Sequence, residues 1–238
     1  MNWKKHQKMI NEFLKFINQK SDDFILKGGS ALSSCYDSPR ISSDIDFDAF
    51  DSRFLEYAVE FCDERNIPYN IKKDTQTTKR IMLHYDDVEC LPLKIESSFR
   101  EHKLATHFAQ KDENNINRYN INRLAKLKLR AFLNRDRIRD VYDVCFIYDK
   151  YKNFLSEETR VDYEDAFIFK TPDDIFYMLD DQEDDQIDSN KLFDDYCRIY
   201  EELGTGKLDH IKAELAKADE DESNTDQEIK GDDSYDKD

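Results

Sequence analysis

Two short segments near the amino terminus combine residue types that bind phosphate and metal ions. Lys27-Gly28-Gly29-Ser30 follows the apolar run Phe24-Ile25-Leu26, which predicts a strand ending in a tight turn before a helix. Backbone N–H groups at such a helix start, together with a serine hydroxyl, suit an anion such as a triphosphate. In the run 44–48, residues two apart share one face of a predicted strand, so Asp44 and Asp46 present paired carboxylates. Carboxylate oxygens are ligands that suit Mg²⁺.

Together, the two segments supply the parts that nucleotidyl transfer requires. One segment can hold the leaving pyrophosphate, and the carboxylates can hold metal ions at the reacting phosphorus and at the attacking hydroxyl. Each segment alone is common in turns or on solvated strand faces. A Gly-Ser pair, then 13 residues, then Asp-x-Asp is a more specific pattern, and it resembles the signature of the polymerase-β-type nucleotidyltransferase superfamily.

Three blocks of sequence narrow the resemblance. Residues 27–32 (KGGSAL) and 40–47 (RISSDIDF) are similar to the opening of the AbiEii/AbiGii-type toxin nucleotidyltransferases. Residues 128–144 contain KLRAFLNR followed by RDVYDV, which looks like two helices of that family, and Leu93–Glu96 resembles its middle strand. The resemblance spans residues 26–144 in family order.

The resemblance implies a role for each matching residue. The phosphates of a nucleoside triphosphate would be bound by Ser30 and by the backbone of Gly28 and Gly29. Mg²⁺ would be bound by Asp44 and Asp46. The helical region would complete the site with Lys128 and Asp140.

Some roles remain open between two alternatives. Glu96 shares a strand face with Lys94, so it is either a third carboxylate, acting as metal ligand or general base, or half of an ion pair with Lys94. Arg40 either contacts the triphosphate or braces the loop. Asp143 lies one helical turn after Asp140, so either of them can be the site member, and the other then has a structural part.

The hydrophobic pattern predicts an α+β fold. Helices and about five strands alternate over residues 1–116, which we interpret as a nucleotidyltransferase-type mixed sheet with flanking helices. Apolar residues recur every three or four positions over residues 117–218, which predicts a helical module that completes the active-site cleft. Residues 219–238 are acidic and nearly free of apolar side chains, so we expect a disordered tail.

The charge distribution is uneven along the chain. The formal net charge is −17, but residues 1–172 hold 29 acidic and 29 basic side chains, so the whole deficit lies in the carboxyl-terminal part. Eight cations lie between Arg118 and Arg139, against one acid, Asp136. Alone, such a stretch indicates a solvated helix face; beside a nucleotidyl-transfer site it becomes a candidate surface for the phosphates of an RNA acceptor.

These observations support one leading function and two alternatives. The first is an Mg²⁺-dependent toxin of a bacterial toxin–antitoxin or phage-defence system. The family resemblance implies that it transfers a nucleotide from an NTP to RNA, with a tRNA 3′ end as the expected acceptor, and that it has a cognate antitoxin. The alternatives are modification of a protein side chain by the same site, or a catalytically degenerate fold used only for binding. No apolar run approaches the roughly 20 residues of a membrane span, and five scattered cysteines indicate a reducing, cytoplasmic setting.

Overall fold

The computed structural model describes residues 1–86, 88–100 and 106–204. A seven-stranded mixed sheet with flanking helices is followed by a helical region, so the predicted α+β class is confirmed. The helix predicted at 207–218 and the acidic tail at 219–238 lie outside the described residues.

The elements are, in chain order, α1 (Trp3–Lys20), β1 (Phe24–Lys27), α2 (Gly28–Cys35), β2 (Asp44–Ala49), α3 (Phe54–Glu64), β3 (Tyr69–Asp74), β4 (Thr78–Leu83), β5 (Leu93–Ser98), β6 (Ala109–Lys111), β7 (Asn117–Tyr119), α4 (Ile121–Asn134), α5 (Ile138–Tyr151), a 3-10 turn (Lys152–Phe154), α6 (Glu157–Phe169) and α7 (Pro172–Asp180). A last helix, α8, is described over residues 189–204.

The strand order in the sheet is β3-β4-β5-β2-β1-β7-β6. The neighbours β2 and β5 run parallel, as do β1 and β7, and the other pairs are antiparallel. The two strands that bear the candidate phosphate and metal residues, β1 and β2, are therefore adjacent in the middle of the sheet. The sequence did not predict β6 and β7, because three-residue strands are too short to show an alternating pattern. Strand β7 lies just after the domain boundary predicted at residue 116.

Aromatic packing holds the central strands to the helices on one face of the sheet. Phe47 of β2 is fully buried, and its ring lies 6.0 Å from that of Phe24 and 6.5 Å from those of Phe13 and Phe54. Because residues alternate along β2, burying Phe47 in this cluster turns Asp46 to the opposite face. The core thus sets the direction in which the acidic side chains point.

Side-chain caps define several helix starts. Asn120 accepts a hydrogen bond from the Arg123 N–H at the start of α4, and Thr171 forms a capping box with Asp174 ahead of Pro172 at the start of α7. Helix α4 packs against α5 and α6 and also contacts α2, so the helical region is joined directly to the sheet at the β1–α2 turn.

The cysteines and the longest apolar helices bear on two expectations from the composition. All five cysteines are free thiols. Within the described ranges, no helix has both the length and the apolar character needed to cross a membrane.

The aromatic cluster yields a stability prediction. We expect Phe47→Ala to lower the free energy of unfolding by about 3 to 5 kcal/mol, because it leaves a cavity among rings that hold the sheet to α1 and α3. The matched control is Ile71→Ala on β3, where the side chain is 49% exposed, and we expect less than about 1 kcal/mol there. Urea unfolding of both variants measures the difference, and equal losses would contradict the assignment of Phe47 to the core.

Candidate active site

The turn between β1 and α2 has the geometry of an anion-binding site. Gly28 adopts φ +73°, a left-handed conformation that glycine adopts without steric cost. Helix α2 begins at this residue, and no side chain caps it, so the N–H groups of its first turn have no side-chain acceptor. A β-carbon at Gly29 would lie 3.0 Å from both Arg40 Nη2 and Ser42 Oγ, so glycine permits the segment around residue 40 to press against the turn. Ser30 is buried, and its hydroxyl donates to the Lys27 carbonyl at 3.2 Å.

Asp44 and Asp46 lie on the same face of β2, beside this turn. The Asp44 carboxylate contacts the Lys94 amine and accepts a hydrogen bond of 2.7 Å from the Ser43 hydroxyl. Asp46 Oδ2 lies 3.4 Å from the position that a β-carbon of Gly28 would occupy, so this carboxylate faces the glycine turn. It makes no hydrogen bond or ion pair with any residue that the structure describes.

Burial and neighbouring acids raise the pKa of Asp46. Burial has the largest effect, and the charges of Asp44 and Glu96 act in the same direction, while Lys94 and Lys27 oppose them. A carboxylate in this setting gains free energy from an additional cation. The electrostatics of the site therefore favour a positively charged ligand at Asp46.

A third aspartate of the strand, Asp48, was not singled out from the sequence. It is buried, accepts a 2.6 Å ion pair from Lys27 and accepts a 2.7 Å hydrogen bond from the Tyr119 hydroxyl. Its spacing of two from Asp46 was the available signal, since it predicts the same strand face. Asp48 thereby fixes the Lys27 side chain next to the turn.

Glu96 and Lys94 do not pair with each other in the structure. Glu96 lies in register with Asp46 on the parallel neighbour β5, and it pairs with Arg80 of β4 at 2.5 Å. Lys94 lies opposite Asp44 and contacts it directly. Glu96 is thus close to Asp46 in the sheet, but its charge is already compensated.

Arg40, Lys128 and Asp143 form a buried charge cluster beneath the glycine turn. Arg40 donates from Nη2 to both carboxylate oxygens of Asp143, at 2.8 and 3.1 Å, and Lys128 Nζ lies 2.5 Å from Asp143 Oδ2. All three residues are buried. Burial alone would raise the pKa of Asp143, but Lys128 and Arg40 outweigh it and hold that pKa below its usual range. Arg40 therefore braces the turn through Asp143, and Lys128 joins the same cluster.

Asp140 lies in a second ion pair on the same helix. It is buried and accepts two hydrogen bonds from Arg135, at 2.5 and 2.8 Å. The hydrogen bond to Asp140 raises the pKa of Arg135 most, and the charge of Asp46 adds to this increase. The turn between α4 and α5 therefore lies within electrostatic range of the Asp46 carboxylate.

Acids compensate half of the predicted basic surface. Lys126 pairs with Glu158 at 2.5 Å, and Arg139 pairs with Asp184 at 2.6 Å. Lys128 and Arg135 are paired as described above. Arg118 stacks on the Tyr36 ring at 4.0 Å. Arg130 and Arg137 are exposed and form no ion pair with the residues that the structure describes.

Comparison with known families fits this geometry. The family described as nucleotidyl transferase AbiEii toxin, type IV TA system, matches residues 15–226. The chain belongs to the AbiEii family. It is therefore a nucleotidyltransferase toxin of a type IV toxin–antitoxin system, and the family predicted from the sequence is confirmed.

Two solved structures from Helicobacter pylori share the fold of this AbiEii family member. JHP933 of Helicobacter pylori is 22% identical over 92% of this chain and 98% of its own, with a TM-score of 0.68. A second H. pylori structure, whose protein is provisionally named a nucleotidyltransferase, is 22% identical over 86% of this chain and 96% of its own, with a TM-score of 0.66. MenT4, a nucleotidyltransferase toxin of Mycobacterium tuberculosis, is 14% identical over 74% and 65%, with a TM-score of 0.45. No curated protein sequence matches the chain.

The buried cluster yields a second prediction. We expect Lys128→Met to lower the free energy of unfolding by about 3 kcal/mol, because it removes one partner of a buried carboxylate. Lys126→Met, two residues away on the same helix, removes a half-exposed ion pair and is expected to cost less than about 1 kcal/mol. Urea unfolding of the two variants measures both values. Equal stabilities would show that Lys128 is not part of a buried charge cluster.

Proposed function

We propose that this toxin transfers a nucleoside monophosphate from an NTP to an RNA acceptor in an Mg²⁺-dependent reaction, and that the acceptor is the 3′ end of a tRNA. The observation that carries the proposal is the Asp46 carboxylate, which faces the uncapped start of α2 and has no partner among the described residues. In the reaction, a hydroxyl of the acceptor gives up its proton to water, and its oxygen forms a bond to the α-phosphorus. The bond from that phosphorus to the bridging oxygen breaks, and pyrophosphate leaves.

Asp44 and Asp46 are the residues that would hold Mg²⁺. Their oxygens are hard ligands, and the Asp46 carboxylate, whose pKa is raised mainly by burial, contacts no cation among the described residues. The described residues contain no cluster of three or more potential metal-ligating side chains, so water and phosphate oxygens would supply the remaining ligands. When bound, Mg²⁺ supplies positive charge at the phosphates and polarises the attacking hydroxyl.

We expect the triphosphate to bind at the glycine turn. The N–H groups at the start of α2 and the positive end of the helix dipole attract anions. Lys27, which is 26% exposed and lies opposite Asp46 in the antiparallel register, adds a cation beside the turn. The sequence left two roles open for Arg40, contact with the phosphates or bracing of the loop. We propose that it braces the loop, because its guanidinium is buried against Asp143.

The turn between α4 and α5 supports RNA as the acceptor. Arg135 and Arg139 are both about half exposed and lie beside the metal-binding strand, since Arg139 Nη1 is 3.4 Å from Ser43 Oγ. Arg137 lies between them in the sequence and has no compensating acid among the described residues. Two arginines close to the Asp44 and Asp46 carboxylates, with the exposed Arg137 between them in the sequence, suit a phosphate backbone.

The family also implies a partner and a location. A type IV toxin–antitoxin system implies a cognate antitoxin. NTPs and tRNA are cytoplasmic reactants, so the proposal assigns the protein to the bacterial cytoplasm.

The decisive test incubates the purified protein and its variants with each labelled NTP, Mg²⁺ and total RNA or lysate. We expect label in RNA with the wild-type protein. We expect Asp44→Asn and Asp46→Asn each to lower the rate of nucleotidyl transfer by about 100-fold or more. Each substitution removes a negative charge that contributes to the electrostatics at the reacting phosphate. Asp63→Asn, an exposed acid on α3, is the control and should retain the wild-type rate.

Other outcomes of the same experiment are equally informative. Label in protein, with none in RNA, would indicate modification of a protein side chain. No label with any NTP would favour a fold that only binds. Transfer at the wild-type rate by either folded asparagine variant would reject the two-carboxylate site.

The acceptor surface yields a separate prediction. We expect Arg137→Gln to weaken binding to labelled tRNA and to flatten the log–log dependence of affinity on salt by about one unit, the value for one phosphate contact. Arg137 is the best choice because its neutralisation leaves no acid unpaired among the described residues. Arg160→Gln, an exposed arginine on α6, is the control. An unchanged slope for Arg137→Gln would identify the basic stretch as a solvated surface.

A further inference from the structure

A histidine on α1 makes two hydrogen bonds next to the metal-binding strand. His6 is fully buried, its Nε2 lies 3.1 Å from the Ser43 carbonyl oxygen, and its Nδ1 contacts the Tyr85 hydroxyl. A carbonyl oxygen only accepts, so Nε2 carries the proton and Nδ1 accepts from Tyr85. Both ring nitrogens are used, and the two bonds select one tautomer.

The acceptor of the His6 hydrogen bond belongs to the residue before Asp44. The Ser43 hydroxyl donates to Asp44 Oδ1 at 2.7 Å, and Arg139 lies 3.4 Å from the same hydroxyl. The Ser43 peptide is thus held on its carbonyl by α1 and on its side chain by α5. The position of Ser43 therefore determines the position of the Asp44 carboxylate.

The segment before Ser43 is anchored independently. Gln186 exchanges two hydrogen bonds with the Ile41 backbone, at 2.9 and 3.0 Å, and Arg40 is fixed by Asp143. Neither of these anchors reaches the Ser43 carbonyl. His6 donates the hydrogen bond to the Ser43 carbonyl. A buried apolar side chain in its place would leave that carbonyl without a donor.

We propose that His6 is a positioning residue for Asp44, which it orients through the Ser43 peptide so that the carboxylate is held ready for a divalent cation. The inference rests on the proposed function only in taking Asp44 as a metal ligand. His6 precedes residue 15, where the match to the family begins, so neither the motif nor the family match points to it. Partners that orient a metal ligand typically alter metal affinity about 10-fold to 100-fold when removed.

Two amide variants separate positioning from packing. In His6→Gln the amide nitrogen can take the place of Nε2, whereas in His6→Asn it reaches only the place of Nδ1. We expect His6→Gln to bind Mn²⁺, titrated into the full chain and followed by electron paramagnetic resonance, close to the wild-type affinity. We expect His6→Asn to bind it about 10-fold more weakly. His107→Asn, at an exposed histidine, is the control.

A third variant keeps the test decisive if His6→Asn fails to fold. Tyr85→Phe removes the donor to Nδ1 and frees the ring to change tautomer, so we expect a smaller loss of Mn²⁺ affinity than for His6→Asn. If Asp44→Asn loses Mn²⁺ binding while the folded His6 and Tyr85 variants all match the wild type, the inference is wrong and the metal site stands. If the wild type does not bind Mn²⁺, the proposed metal site and this inference fail together.

Discussion

The buried carboxylate of Asp143 is the interaction on which the architecture of the site depends. It lies on α5 and binds Arg40 from the β1–β2 side and Lys128 from α4. A buried charge of this kind is costly unless it is fully paired, so the three elements must stay together. Arg40 in turn lies against Gly29. The glycine turn and the helical region are therefore joined by one carboxylate.

Charge compensation then distinguishes the acids of the sheet from one another. Asp44 is paired with Lys94, Asp48 with Lys27 and Glu96 with Arg80. Asp46 lies among these pairs and contacts no cation in the part of the chain that the structure describes. Because its described neighbours pair with one another, the Asp46 carboxylate faces the glycine turn without a compensating contact.

The acidic segment 182–186, after α7, contacts the elements that form the candidate site. Asp184 comes from a region in which acids strongly outnumber bases, and its buried carboxylate binds Arg139 next to the start of β2. Gln182 and Gln186 flank it and bind the backbone at Ile138 and Ile41. The segment therefore connects the α4–α5 turn to the approach to Asp44. Part of the negative charge of the chain neutralises the basic stretch instead of repelling a polyanion.

Local sequence determined the glycine turn, the shared strand face of Asp44 and Asp46, and nearly all helices, because turn chemistry and side-chain periodicity act over a few residues. It also carried the family motif. Only the tertiary structure decided the partners of the charged side chains: Arg40 and Lys128 on Asp143, Arg135 on Asp140, and His6 on the peptide before Asp44. The short strand β7 also depends on pairing with β1, and β6 depends on pairing with β7. The side-chain contacts join residues 5 to 103 positions apart in the chain, and no local pattern specifies which of several like charges will meet when the chain folds.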